Sequence, residues 1–252
     1  MPVISDPAGA AALGTVLGIW AHPDDEVYLS GALMALARRV GGHVACVTAT
    51  HGEQGTPDPD RWPPERLALT RRHELAACLA ALGVSHHHWL GYRDGACAEV
   101  PARSAADRLA RIITDTVPDT IVTFGPDGLT GHPDHRAVSR WVTRAWDLAG
   151  KPGRLLHATT TDEYSDEFAP EHDRFDVFMD DGLPLRTPTE ALALTVAPDD
   201  EVLDQKLAAL RAQATQTTSL IEAFGEDRYR AWVARETFVD AVAFEATVPV
   251  AA

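Results

Sequence analysis

Two clusters in this sequence carry side chains able to hold a metal ion and move protons. The first, His22-Pro23-Asp24-Asp25-Glu26, sets one imidazole and three carboxylates directly after the apolar run Gly14 to Trp20. The second, His132-Pro133-Asp134-His135, follows the strand-like Asp119 to Phe124 and a Gly125-Pro126-Asp127-Gly128 turn. Neutral imidazoles and carboxylates suit a divalent cation, zinc (Zn2+) above all, and ferrous iron (Fe2+) also fits a His/His/Asp set. His22 and Asp25 stand three residues apart at a strand-to-helix turn, a spacing that can bring both to one point. His132 and His135 share one side of a first helical turn, so one can be a third ligand while the other does chemistry. A carboxylate beside the metal can take a proton from acidified water, and a protonated imidazole can donate to an oxyanion or a leaving amine. Read alone, the first cluster also fits an Asp-capped, acidic helix start favoured by the helix dipole. A second His/Asp cluster at the matching end of another strand argues instead for one shared metal site.

The elements that position these clusters alternate in type. Glu26 to Val40 has helical periodicity, a basic last turn and a Gly41-Gly42 stop. His43 to Ala49 reads as a strand, Glu65 to Leu82 as a helix, Val84 to Leu90 as a strand and Ala102 to Val117 as a helix. Pro133 opens a helix running to Leu148, and Arg154 to Thr160 is a further strand. This alternation predicts an α/β fold: a doubly wound, mainly parallel, Rossmann-like sheet with helices on both faces. Ligands of such sheets bind outside the carboxyl ends of the strands, where both clusters fall. Residues 14–160 form the core of a single domain spanning 1–252, and 161–252 form a smaller C-terminal α/β extension that completes the pocket. Within the extension, Ala191 to Val196 reads as a short strand and Glu201 to Thr217 as a helix. Phe238 to Val250 reads as an edge strand or hairpin partner. The loop Thr56 to Pro64 and the acidic segment Asp162 to Asp181 are placed at the pocket border. His86-His87-His88 lies in a strand, where successive side chains alternate in face, so the three cannot converge on one ion.

Composition removes several function classes. There are 37 acidic and 22 basic residues among 252, a formal charge of −15, which repels phosphate backbones and anionic membranes. Nucleic acid and membrane are therefore not expected partners; a small-molecule substrate is, and a homo-oligomer is compatible. Cys46, Cys78 and Cys97 have no paired spacing and indicate neither a disulfide framework nor a cysteine-rich zinc site. Neither a signal peptide nor a membrane span is read, which gives a cytoplasmic expectation. The strand that ends at His22 lacks the G-x-G-x-x-G turn that dinucleotide binding needs.

Ala21-His22-Pro23-Asp24-Asp25-Glu26 together with His132-Pro133-Asp134-His135 resembles the LmbE-like, PIG-L superfamily of zinc-dependent N-acetylglucosaminyl de-N-acetylases. Thr50 to Gly55, Arg71 to Leu75, Leu82 to Val84, Tyr92 to Gly95 and Lys206 to Gln216 resemble further family blocks in the same order. The resemblance implies that His22, Asp25 and His135 hold zinc and that Asp24 is the general base. It further implies that His132 stabilises or protonates the tetrahedral intermediate, with Asp134 orienting it, and that Arg71 and Asp94 bind substrate hydroxyls. For these last two, an Arg71 to Glu74 helix pair and an Asp94-Gly95 turn are the plainer structural readings. In the C-terminal helix the family often has Lys, then His, then Gln, where this chain has Lys206, Gln213 and Gln216. Gln213 carries no proton, which leaves it a neutral hydrogen-bonding role. The expected function is removal of the N-acetyl group from a glucosamine-type sugar conjugate. Alternatives are an amidase acting on a mycothiol conjugate or a natural-product N-acyl group and, from another class, a non-catalytic metal- or sugar-binding module.

Overall fold

The computed structural model describes residues 3–179 and 183–242. Its strands are β1 (Val3–Ile4), β2 (Val16–Trp20), β3 (Val44–Thr50), β4 (His86–Tyr92), β5 (Thr120–Phe124), β6 (Arg154–Thr159), β7 (Leu194–Val196) and β8 (Glu236–Asp240). They form one sheet in the order β1-β7-β8-β6-β5-β2-β3-β4. Every neighbouring pair is parallel except those of β8, which runs antiparallel to both β6 and β7. The helices are α1 (Pro7–Ala10), α2 (Asp25–Arg39), α3 (Pro64–Ala81), α4 (Ala102–Thr116), α5 (Pro133–Leu148), α6 (Asp162–Glu167), α7 (Ala169–Arg174), α8 (Asp200–Ala212), α9 (Ala214–Phe224) and α10 (Glu226–Val233).

All of β2, β3 and β5 is buried, as parallel strands covered by helices on both faces must be. That is why they read as continuous apolar runs rather than as alternating patterns. Helix α5 packs on α4, while α8 packs on α2 and α3. In β2, Gly18 is needed for space: a Cβ there would lie 2.8 Å from the Trp20 indole nitrogen. The chain order reverses between β2 and its neighbours β3 and β5, so the crevice beyond Trp20 and Phe124 is the switch point where such sheets place ligands.

Two expectations for the C-terminal region are corrected. The segment beginning at Phe238 does not form an edge: β8 is threaded between β6 and β7, and 243–250 lies outside the described residues. Nor is Glu201 to Thr217 one helix. It breaks at Gln213, with φ −87° and ψ 48°, because that side chain turns inward while the Glu74 carboxylate takes Thr215 N–H at 2.8 Å and its hydroxyl at 2.6 Å. Helix α9 thus receives an N-terminal cap from α3.

Helix α2, which carries the first cluster at its N-terminus, is also broken. Ser30 has φ −148° and ψ 15°, and its hydroxyl bonds back to Glu26 O at 2.8 Å. The break frees backbone groups that a buried ion pair collects. Glu236 accepts from Ala32 N at 2.7 Å and Leu33 N at 2.9 Å, while Lys206 donates to Tyr28 O at 2.9 Å. The two charges meet at 2.7 Å with both side chains fully buried. Removing one partner strands the other in a low-dielectric interior. Lys206→Met is therefore expected to lower stability in urea unfolding by about 3–5 kcal/mol. Adding Glu236→Gln should return part of the loss, and a double variant no better than the single one would show that unpaired charge is not the cause.

Candidate active site

The turn out of β2 places His22, and Asp24 is the residue before α2. Asp24 sits at φ 103°, a conformation that costs a non-glycine residue about 1–3 kcal/mol and persists only where its surroundings enforce it. Here they do. Glu26 Oε2 accepts Asp24 N–H at 3.0 Å. Arg71, 3% exposed, donates from Nη2 to Pro23 O and, at 3.0 Å, to Asp24 Oδ2, and from Nη1 to Gly52 O at 2.9 Å. Gly52 has φ +66° and a Cβ on it would collide with the guanidinium at 2.1 Å, so glycine is required beneath this clamp.

The second cluster comes from the start of α5 beside β5. His135 stacks on Phe124 with ring centroids 4.1 Å apart, and its Nδ1 faces Gly128 O at 3.0 Å. A proton donated to that carbonyl leaves the Nε2 lone pair facing inward. His22 is held in the opposite sense, its Nε2 lying 3.0 Å from Asp94 Oδ1 and 3.4 Å from Asp134 Oδ2. Its Nδ1 therefore turns toward His135 Nε2, 3.1 Å away. Asp25 closes the group, with Oδ2 3.6 Å from His22 Nδ1 and Oδ1 3.4 Å from His135 Nε2. With the His22 proton on Nε2, two imidazole lone pairs and a carboxylate converge on one point, an arrangement that a cation among them stabilises. This donor set fits a divalent metal, and carboxylates behind a ligating imidazole are the usual support for one. His132 also has a nitrogen within 4.8 Å of nitrogens on His22 and His135, so it borders the same point.

The electrostatics separate the two adjacent aspartates. Burial pushes Asp24 up to about 7 against the opposing pull of Arg71. Burial likewise opposes charge on Asp25, but His135 and His22 outweigh it and hold that carboxyl well below its ordinary value. Burial pulls His135 down to about 4 and, with help from His22, lowers His132. Both rings are thereby kept neutral.

All eight residues singled out from the sequence lie in this region, and three of them make protein contacts that the sequence did not indicate. Asp134, expected to align His132, buries its carboxylate under Gly95 N (2.8 Å) and Cys97 N (3.0 Å) and turns it toward His22. It meets His132 through its backbone instead, donating N–H to Nδ1 at 3.1 Å. Asp94 supports His22 and takes Gln54 N–H at 2.7 Å. Arg71 supports Asp24 rather than pairing with Glu74. Behind them, burial pushes Glu26 up to about 8, and Gln213 donates to its Oε1 at 2.9 Å, the neutral role open to an amide. The His86-His87-His88 run forms no such cluster: His87 bonds to Thr48 Oγ1 at 2.9 Å and its neighbours face solvent.

The acidic segment placed at the pocket border does line the cavity over this cluster, through Tyr164, His172, Val177 and Phe178, but the apolar chemistry of that wall was not read from the sequence. Asp24, Asp25 and His135 line a cavity of about 340 Å³ whose other side comes from residues 158–237, including Tyr164, Leu220 and Trp232. Of the aromatics in the acidic segment, Tyr164 and Phe178 line the cavity, and they were the available signal for its chemistry.

The sheet and the cluster together define an α/β protein with a metal-competent His/Asp site at its switch point. Residues 17–146 match the family model described as PIG-L, GlcNAc-PI de-N-acetylase. The chain belongs to this family, the PIG-L or LmbE-like N-deacetylases, and is an enzyme of that hydrolase class. It is similar to the 1D-myo-inositol 2-acetamido-2-deoxy-alpha-D-glucopyranoside deacetylase of Mycobacterium sp. (strain JLS), at 32% identity over 84% of this chain and 77% of that one. A relative of the same description from Catenulispora acidiphila is 36% identical over 66% of this chain, but the match spans only 54% of its length. Among solved structures, the N,N'-diacetylchitobiose deacetylase from Pyrococcus horikoshii superposes with a TM-score of 0.61 at 22% identity, covering 94% of this chain and 86% of that one. The zinc-inhibited form of teicoplanin deacetylase Orf2 gives 0.63 at 18% identity over 90% and 98% of the two chains. A hydratase, GalB of Pseudomonas putida KT2440, shares the fold with a TM-score of 0.57 at 15% identity, covering 95% and 98%. The sheet alone therefore does not select the reaction.

Proposed function

We propose that this chain is a metal-dependent hydrolase that removes the N-acetyl group from a glucosamine-type sugar conjugate, releasing acetate and a free amine. The observation that carries the reading is the convergence of His22 Nδ1, His135 Nε2 and the Asp25 carboxylate beside Asp24. His22, Asp25 and His135 would hold the cation, zinc or ferrous iron by the chemistry of the donors. When bound, such an ion supplies Lewis acidity that acidifies water and polarises an amide carbonyl.

The remaining work belongs to the side chains around it. Asp24, fixed by Arg71 and Glu26, takes a proton from the attacking water. His132 accepts a hydrogen bond at Nδ1, so its ring proton sits on Nε2, where it can hydrogen-bond the oxyanion, while the proton taken up by Asp24 is the one available to the leaving nitrogen. Asp94 and Asp134 orient His22 and keep its Nδ1 directed inward. The candidate ligands and base lie within 14–160, while Tyr164, Leu220 and Trp232 of the C-terminal extension line the adjoining pocket, which supports reading the chain as one unit. Among the described residues, no helix is long and apolar enough to cross a membrane.

The deciding experiment is amine and acetate release by the zinc-reconstituted protein from a panel headed by N-acetylglucosaminyl-inositol. Silence across all N-acetylglucosamine conjugates would overturn the reading. Release of a larger acid from a mycothiol-type conjugate or natural-product amide would move it to the amidase alternative, which uses the same residues.

Arg71 provides a sharper check. As a clamp on Asp24 and not a sugar contact, its replacement in Arg71→Met should lower kcat by roughly 10- to 100-fold, the scale of a misplaced reacting group. KM should move far less. A variant with normal kcat and a greatly raised KM would return Arg71 to the substrate.

A further inference from the structure

His43 and His86 lie at the end of the sheet opposite the His/Asp cluster. His43 is the residue before β3 and His86 opens β4, whereas His22 follows the carboxyl end of β2. The seven residues of β3 set the two regions about 20 Å apart. Parallel pairing of Ala45 with His86 brings the two exposed rings to a centroid separation of 4.6 Å at an interplanar angle of 50°. The rings of His22 and His135 meet at 5.1 Å and 48°, so the surface pair repeats the mutual disposition of two candidate ligands. Metal–nitrogen bonds of about 2.0–2.1 Å, at right to tetrahedral angles, put the ring centroids of two imidazoles on one ion roughly 4.5–5.2 Å apart. The spacing of His43 and His86 falls in that range.

The pair is also held from behind. Arg38 donates from Nε to Gly83 O at 2.8 Å and from Nη1 to Gly42 O, tying together the turns that lead to the two histidines. Val16 N–H donates to His43 O at 2.9 Å, which fixes that backbone to β2. Ser85 Oγ lies 3.3 Å from His86 Nδ1. A ring proton donated there leaves the Nε2 lone pair free, the kind of support that ligating imidazoles have. We propose that His43 and His86 form a second metal site, taking a borderline first-row divalent cation, zinc or copper(II), on two imidazole nitrogens with water completing the shell. The histidine run of β4 thus supplies one ligand, and its partner comes from the turn before the neighbouring strand. With only two protein donors, and the Arg38 charge nearby, this ion is held more weakly than one at His22, Asp25 and His135 and is lost on desalting.

The test is equilibrium dialysis of the full chain against zinc buffered across the micromolar range, read by elemental analysis. The parent should reach two ions per chain, one of which desalting removes. His43→Ala and His86→Ala should each raise the dissociation constant of the weaker ion by about tenfold or more, the scale on which a metal site responds to loss of a group that supports it. The double variant should do no more than either single one, as for a shared ion. Both side chains are exposed, so neither replacement opens a cavity in the core. His73→Ala, which removes an exposed histidine of α3, should keep both ions. His22→Ala should show the reverse pattern, losing the tighter ion and keeping the weaker, so the site stands or falls separately from the hydrolytic reading. A weaker ion that survives the His43→Ala, His86→Ala double variant, or that His73→Ala removes as well, is adventitious surface binding and overturns the site. A parent that takes up a single ion also overturns it if His43→Ala keeps that ion. If His43→Ala loses it, the site stands and the ligand set around His22 falls.

Discussion

Asp24→Asn is expected to bind metal as the parent does and to lose about 10²- to 10⁴-fold in kcat, the range assigned to a positioned general base. The substitution suits the backbone, since Asn tolerates a positive φ nearly as well as Asp, and Asp24 stands at 103°. The amide oxygen can still accept from Arg71, so the clamp survives while the proton acceptor is lost. Metal stoichiometry by elemental analysis and acetate release are the two measurements. Full turnover by the variant would remove Asp24 from the mechanism, and loss of metal would make it a ligand rather than a base.

His22→Ala should have the broader effect. His22 is the meeting point of both clusters, touching Asp25 and His135 on one ring nitrogen and Asp94 and Asp134 on the other. Its loss removes a donor and leaves two buried carboxylates facing each other without the imidazole between them. Metal affinity is expected to fall by more than the roughly 10- to 100-fold that loss of a supporting residue costs, with turnover falling alongside. Chelation of the parent protein should give the same silence, reversed by added zinc, whereas zinc should not restore the variant. A His22→Ala protein that retains one tightly held ion per chain would sink the proposed ligand set.

The parts of this protein governed by local rules were legible in the sequence. Continuous apolar runs identify buried parallel strands, and a polar cluster at the end of such a run points to the carboxyl edge of the sheet. That is how His22 to Glu26 and His132 to His135 could be placed opposite each other before any coordinates. What escaped depends on contacts between distant segments. Nothing about Arg71 within its helix says that its guanidinium lies under Asp24. Nor does the spacing of Asp134 from His132 reveal that the carboxylate is drawn away by Gly95 and Cys97 amides on the loop beyond β4. The break at Gln213 was invisible because its helix-forming neighbours are overridden by one inward hydrogen bond to Glu26. The position of β8 inside the sheet follows from pairing with two strands far apart in sequence, for which alternation carries no signal.

The broken helix α2 has a consequence for how portable this site is. Its candidate catalytic turn lies at the start of the chain's core, yet the amides released at Ser30 are satisfied by Glu236, and the freed carbonyl of Tyr28 by Lys206. A fragment ending before β8 would retain every candidate ligand and the candidate base, but would lose the anchor that permits the helix to bend beneath them. The familiar motif can therefore be transplanted as letters without being transplanted as geometry. Drift at Lys206 or Glu236 could silence the centre while leaving each of its own residues unchanged.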